Sequence, residues 1–195
     1  LQELTVAAWV KPLSLPSGEV MRFVTVGDEK AVLRYDDQQS PGSEQLHFYM
    51  NVDGALHSLR LNGALQGDRW HHVAGTYDGA EMALYLDGSL ALNETVTGTV
   101  GGGDSVLLSH SSEALDGLLD EVRITRAAKG ADELRREVAA AGELPAPALS
   151  DRSRLPTGPV GSGSFGAFHA RLDYYPEWDA LWRVGDVPDV FVRFD

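Results

Sequence analysis

The chain has 195 residues, 43% of them apolar, and a formal net charge of -13 from 29 acidic against 16 basic side chains. That is enough apolar material for one sizeable domain and argues against disorder, while the acidity repels phosphate backbones and anionic membranes and so excludes nucleic acid as a partner. There is no cysteine, which rules out disulfides and thiolate metal sites, and no apolar run approaches the roughly 20 residues that span a bilayer, which excludes membrane insertion.

The first predicted element is a mostly apolar strand, Leu4 to Val10, with Trp9 expected in the core (a sugar-stacking platform being the alternative) and Lys11-Pro12 as its end, because proline cannot donate to a ladder. Strands follow over Val20 to Val26 and Ala31 to Tyr35, joined by a turn at Gly27-Asp28, and then a polar loop from Asp36 to Glu44. Gln45 to Val52 alternates cleanly: Leu46, Phe48, Met50 and Val52 take one face, and His47, Tyr49 and Asn51 the other. A period of two is the signature of a half-buried strand. Leu56 to Leu61 is the next strand.

Trp70 to Gly88, reading WHHVAGTYDGAEMALYLDG, contains two alternating runs joined by Asp78-Gly79 and closed by Asp87-Gly88. Four Asp-Gly pairs, beginning at Asp53, Asp78, Asp87 and Asp116, punctuate the chain. Asp-Gly suits tight hairpin turns because glycine accepts positive φ without a clash. Short strands of this kind at close spacing predict an all-β sandwich. Val106 to His110 and Leu118 to Thr125 complete the predicted strands.

A helix is expected over about 131–141. Asp132 and Glu133 complement its dipole, Leu134, Val138 and Ala141 form an apolar stripe, and Gly142 and Pro145 end it. We read it as a lid over one end of the sandwich. Residues 142–164 are rich in Pro, Gly and Ser and read as a linker. Residues 165–195 hold 8 of the chain's 16 aromatic side chains, with strands predicted over Phe165 to Leu172 and Asp189 to Phe194. This segment either opens a second β module or supplies a strand that completes the sandwich.

Three stretches carry a resemblance: LTVAAWVKP from Leu4, the Trp70 to Gly88 hairpin, and GLLDEVRITRAAKGADEL from Gly117. Together they resemble the laminin-G-like, concanavalin A-like lectin/glucanase jelly rolls, in the family's order over residues 1–141. The resemblance implies an antiparallel two-sheet jelly roll with one short C-terminal helix. It also implies a carbohydrate-binding or adhesion-type module, extracellular or periplasmic, attached to further domains of a larger polysaccharide-acting polypeptide. Fold alone does not fix function. The alternatives are a fragment of a glycoside hydrolase or polysaccharide lyase whose catalytic residues lie beyond residue 195, with Tyr174, Tyr175, Trp178 and Trp182 lining a cleft, or a structural interdomain packing module.

Two sets of residues are candidate sites. By alternation, Arg34, His47, Tyr49, Asn51 and Arg60, with Arg22 less firmly, share the polar side of neighbouring strands. Planar donors around an aromatic ring suit a glycan. Strict alternation also places Asp120 with Leu118, Val122 and Ile124 on the buried side, where a carboxylate must be paired, hydrogen-bonded or bound to metal; the alternatives are a bulge that turns Asp120 outward or a cap on backbone N–H groups. The resemblance implies a structural calcium ion (Ca2+) in this region, with Asp28 and Asp116 as helpers, since calcium takes six to eight oxygens.

Other motifs carry nothing. His71 and His72 are adjacent, so a strand sends them to opposite faces. GSGSFG, from Gly161 to Gly166, matches a dinucleotide fingerprint in letters only, because no helix follows it. Asn93-Glu94-Thr95 is a sequon. No paired-carboxylate strand motif is present, and neither G-x-S-x-G nor H-E-x-x-H occurs, so no catalytic residue is assigned.

Overall fold

The computed structural model describes residues 2–38, 43, 45–101, 103 and 105–143, and the backbone of 162–165 and 168–171. Ten strands, β1 (Leu4–Pro12), β2 (Val20–Val26), β3 (Ala31–Asp36), β4 (Gln45–Val52), β5 (Ala55–Leu61), β6 (His71–Tyr77), β7 (Glu81–Leu86), β8 (Ser89–Thr95), β9 (Val106–Leu108) and β10 (Gly117–Thr125), precede the helix α1 (Ala131–Glu143). They form two antiparallel five-stranded sheets. Sheet I has the order β10-β1-β6-β7-β8 and sheet II the order β5-β4-β3-β2-β9.

The predicted alternation on β4 is what the core uses. Leu46, Phe48, Met50 and Val52 meet Leu4, Val6, Ala8 and Val10 of β1 and Val73 and Tyr77 of β6 in one apolar cluster between the sheets. The sheets approach closely at Gly75, where an added Cβ would lie 2.4 Å from the Phe48 ring. Asp53-Gly54 and Asp87-Gly88 each have positive φ at both residues and each link strands by two residues. That is the turn whose twist matches a hairpin.

Two bulges shift the faces. In β2 the register slips between Arg22 and Val24, so Arg22 stands opposite Arg34 while Val24 stands opposite Leu33. Arg22 thus joins the outer face, and Phe23 and Val24 enter the core. In β10 the slip coincides with Glu121, whose φ is 46°: Trp9 pairs with Asp120 but Ala7 with Arg123. An extra residue on one strand reverses the inward–outward count beyond it. Asp120 therefore faces outward beside Trp9, and Leu119 and Val122 face the core, which corrects the buried placement that strict alternation gives.

Trp9 is likewise outside the core. Leu4, Val6, Ala8 and Val10 point inward, which leaves Thr5, Ala7 and Trp9 on the outer face. The helix lies across that same face and not over an end of the sandwich: Leu134 is fully buried against Ala7, Ala74, Ala83 and Tyr85. Its start is closed by Glu133, whose Oε2 accepts from the Gly130 N–H at 3.1 Å. Residues 162–165 and 168–171 pair as a two-stranded hairpin, where a single strand was expected. The linker residues 144–161, the four aromatic residues from Tyr174 to Trp182, and the strand predicted over Asp189 to Phe194 lie outside the described residues.

Candidate functional site

The outer face of sheet II collects the predicted polar residues into one row. Arg22 stands opposite Arg34, Arg34 opposite His47, and His47 opposite Arg60, across β2, β3, β4 and β5. Tyr49 and Asn51 follow along β4, with Asn51 opposite the exposed Leu56. Thus the structure brings all six expected residues together.

It does not leave them in solvent. His47 and Tyr49 are 2% and 4% exposed. Asp36, which the sequence assigns to a loop, ends β3 and is 1% exposed. Its Oδ2 accepts from Arg34 at 2.6 Å and from Arg60 at 3.0 Å, and its Oδ1 accepts from the Gln38 N–H at 3.1 Å. Burial pushes the Asp36 carboxyl up, but Arg34, Arg60 and the Gln38 N–H outweigh it and hold the carboxyl below its usual range. Arg22 is held by Glu113 and, at 2.7 Å, by Glu29. The Arg34 guanidinium lies 5.0 Å from the centre of the Tyr49 ring, a cation–π contact.

His47 is neutral here. Burial first, and then the charges of Arg34 and Arg60, lower its pKa to about 3. Nδ1 has two neighbours, the Arg34 Nε donor at 2.9 Å and Asp36 Oδ2 at 3.3 Å. The shorter contact governs a neutral ring, so Nδ1 accepts from Arg34 and the proton sits on Nε2. That nitrogen is buried and has no hydrogen-bond partner among the described residues. Buried donors of this kind are uncommon.

The calcium set does not converge. Asp120 is on the outer face of sheet I, with Oδ1 accepting from the Glu121 N–H at 2.9 Å. Asp116 accepts from the Ser14 hydroxyl at 2.6 Å. Asp28 lies in the β2–β3 turn beside Gly103. Among the described residues no group of three or more His, Asp or Glu side chains is placed to hold a metal ion, so these three carboxylates do not fit the expected ion.

The outer face of sheet I carries features that sequence reasoning passed over. His72 stands opposite Trp9, with ring centres 5.4 Å apart and planes at 67°. Burial lowers the His72 pKa to about 4. Lys129, at 2.7 Å, and Arg123, at 3.5 Å, converge on Glu137 Oε1 beneath the helix. The signal for this face was the small residues of β1 and β6, Ala7 and Ala74, which leave room for a helix.

A family model for the concanavalin A-like lectin/glucanases superfamily, in its laminin G form, matches residues 1–135. No curated protein sequence matches the chain. Among solved structures, a heptameric SAP-like pentraxin from Limulus polyphemus aligns with TM-score 0.53 and 16% identity, over 69% of each chain. The Ruminococcus gnavus IT-sialidase CBM40, solved bound to α2,3-sialyllactose, gives TM-score 0.56 and 18% identity over 71% of this chain and 83% of that one. The receptor binding domain of botulinum neurotoxin C/D mosaic serotype gives 0.56 and 12% over 71% of this chain, which spans only 36% of its length. Identities this low show a shared fold.

Proposed function

Since the chain belongs to the concanavalin A-like lectin/glucanases superfamily, we propose that it is a non-catalytic carbohydrate-binding module that receives a glycan on the outer face of sheet II. The observation that carries this reading is the row Arg22–Arg34–His47–Arg60 in direct register on four strands. Asp36 and the stacked Tyr49 fix the guanidinium planes. Sugar recognition needs fixed planar donors, because the hydroxyl geometry of a glycan leaves little tolerance for floppy partners. The half-buried members are Asn51, opposite Leu56 of the edge strand, and Arg60, opposite His47.

The non-catalytic part of the reading rests on the carboxylates. Asp36, Glu29 and Glu113 each sit in an ion pair with arginine, and a general acid needs a carboxyl held protonated. Further domains of the same polypeptide and an extracellular or periplasmic setting go with this reading. No helix among the described residues is long and apolar enough to cross a membrane.

A glycan array probed with the chain and with Arg60→Ala and Asn51→Ala tests the proposal. Each substitution is expected to weaken binding about tenfold; Asn51→Ala should leave the melting temperature within a few degrees, and Arg60→Ala should lower it more, with Asp36 still held by Arg34 and the chain still folded. Undiminished binding by both variants overturns the assignment to this face.

A further inference from the structure

The helix leaves one end of sheet I's outer face outside its alanine contacts, where Trp9 stands, with Trp70 just before β6. Leu134 packs on Ala7, Ala74, Ala83 and Tyr85. In the next row toward the end of β1, Asp120, Trp9 and His72 lie side by side on β10, β1 and β6. One row further, Leu118 is paired with Lys11, and Trp70 lies just outside β6, one residue past the last β1–β6 pair, Val10 with His71. Trp70 is 38% exposed and Trp9 half-buried. Trp70 is two residues before His72, the partner of Trp9, and two extended residues span about 7 Å, so the two side chains start within the reach of one or two sugar rings. His72 meets Trp9 edge to face, which sets the orientation of that indole. Lys11 is tied to Asp68 at 2.8 Å.

We infer that Trp9, Trp70 and Asp120 form a second glycan contact on sheet I, and that it takes an uncharged pyranose. The inference goes beyond the sheet II reading and does not depend on it. Indole faces receive the C–H faces of a sugar, and each indole adds an N–H donor. Asp120 supplies a carboxylate with its second oxygen available to adjacent hydroxyls, because the bond to the Glu121 N–H uses Oδ1. The charge selects the ligand. Among the described residues Lys11 is paired with Asp68 and Arg123 with Glu121 and Glu137, Arg69 beside Trp70 donates to Gln66, Asp120 has no ion-pair partner, and the chain carries -13 overall. A uronate or sialate would be repelled there, whereas a neutral ring would not. The Glu121 bulge is what turns Asp120 to this face, so the site exists through one extra residue in β10.

The experiment is a tryptophan-fluorescence titration of the full chain with soluble β-glucan and galactomannan, with polygalacturonate as the acidic control. A neutral polymer is expected to quench and blue-shift the emission. Trp70→Ala should weaken that binding at least tenfold, Asp120→Asn severalfold, and Trp70→Phe much less than Trp70→Ala. Arg60→Ala and Asn51→Ala on sheet II should leave it unchanged. The inference is overturned if neither neutral polymer binds, if polygalacturonate binds more tightly, or if binding survives both Trp70→Ala and Asp120→Asn. Loss through Arg60→Ala alone would sink this site and keep the sheet II reading, whereas loss through Trp70→Ala alone supports this site and leaves the sheet II reading to its own glycan-array test.

Discussion

The two outer faces of the sandwich are built from opposite choices of side chain. Sheet I offers Ala7, Ala74 and Ala83, and a helix settles onto them through Leu134. Sheet II offers Arg22, Arg34 and Arg60, and a network of ion pairs covers it instead. Small residues let a helix backbone approach and bury an apolar stripe. Long guanidinium side chains hold a helix off and must find acceptors. Both faces end up partly dry, one by packing and one by pairing, and the faces differ in what a single substitution exposes.

The largest expected effect is on the paired face. Asp36→Ala leaves Arg34 and Arg60 without their shared acceptor in a buried setting. Removing one partner of a buried ion pair costs about 3–5 kcal/mol, so the urea midpoint should fall steeply. A cost under about 1 kcal/mol would mean that the row is a solvated surface and that the contrast between faces is false. Next comes the packed face. Leu134→Ala should cost about 2–4 kcal/mol and loosen α1, seen as faster amide exchange over 131–143 with the sheet II amides unchanged.

The pH dependence sharpens the comparison further, because each face holds one buried imidazole. His47 and His72 have pKa values of about 3 and about 4, both below the ordinary value of about 6.5. Burial is the leading cause for both, and it outweighs Asp36 beside His47 and Glu137 beside His72. The unfolded chain takes up protons between pH 6.5 and 4 that the folded chain refuses. Stability is therefore complete above pH 6.5 and declines as the pH falls through that window, with about two protons bound on unfolding. Urea midpoints measured from pH 7.5 to 4.5 should show this slope, and His72→Gln should remove about half of it. A profile flat over the window would contradict the burial of both rings.

Much of this was legible in the chain, and the failures have identifiable causes. The alternation of Gln45 to Val52 placed His47, Tyr49 and Asn51 on the outer face because β4 is central and regular. The Asp-Gly pairs at 53 and 87 marked real hairpins. Alternation failed where a strand carries one extra residue, at Phe23 and at Glu121, since periodicity has no means of registering a skipped partner. Trp9 was expected in the core because its strand is mostly apolar, although its neighbours Ala8 and Val10 fill the inward positions. The strand β8 went unread because it is an edge: its residues are exposed or half-buried, so burial imposes little pattern. The acceptors of the arginine row were also invisible, since Glu113 lies 91 residues from Arg22 and only the closed fold joins them.

The bulge at Glu121 sets a reading frame inside β10. Residues on its two sides are phased to different counts, and every exchange of one side chain for another respects that phase. Loss of a single residue there does not. It would carry Asp120 inward and Leu119 outward in one step, so this strand should accumulate replacements freely in its outward positions while tolerating almost no change of length.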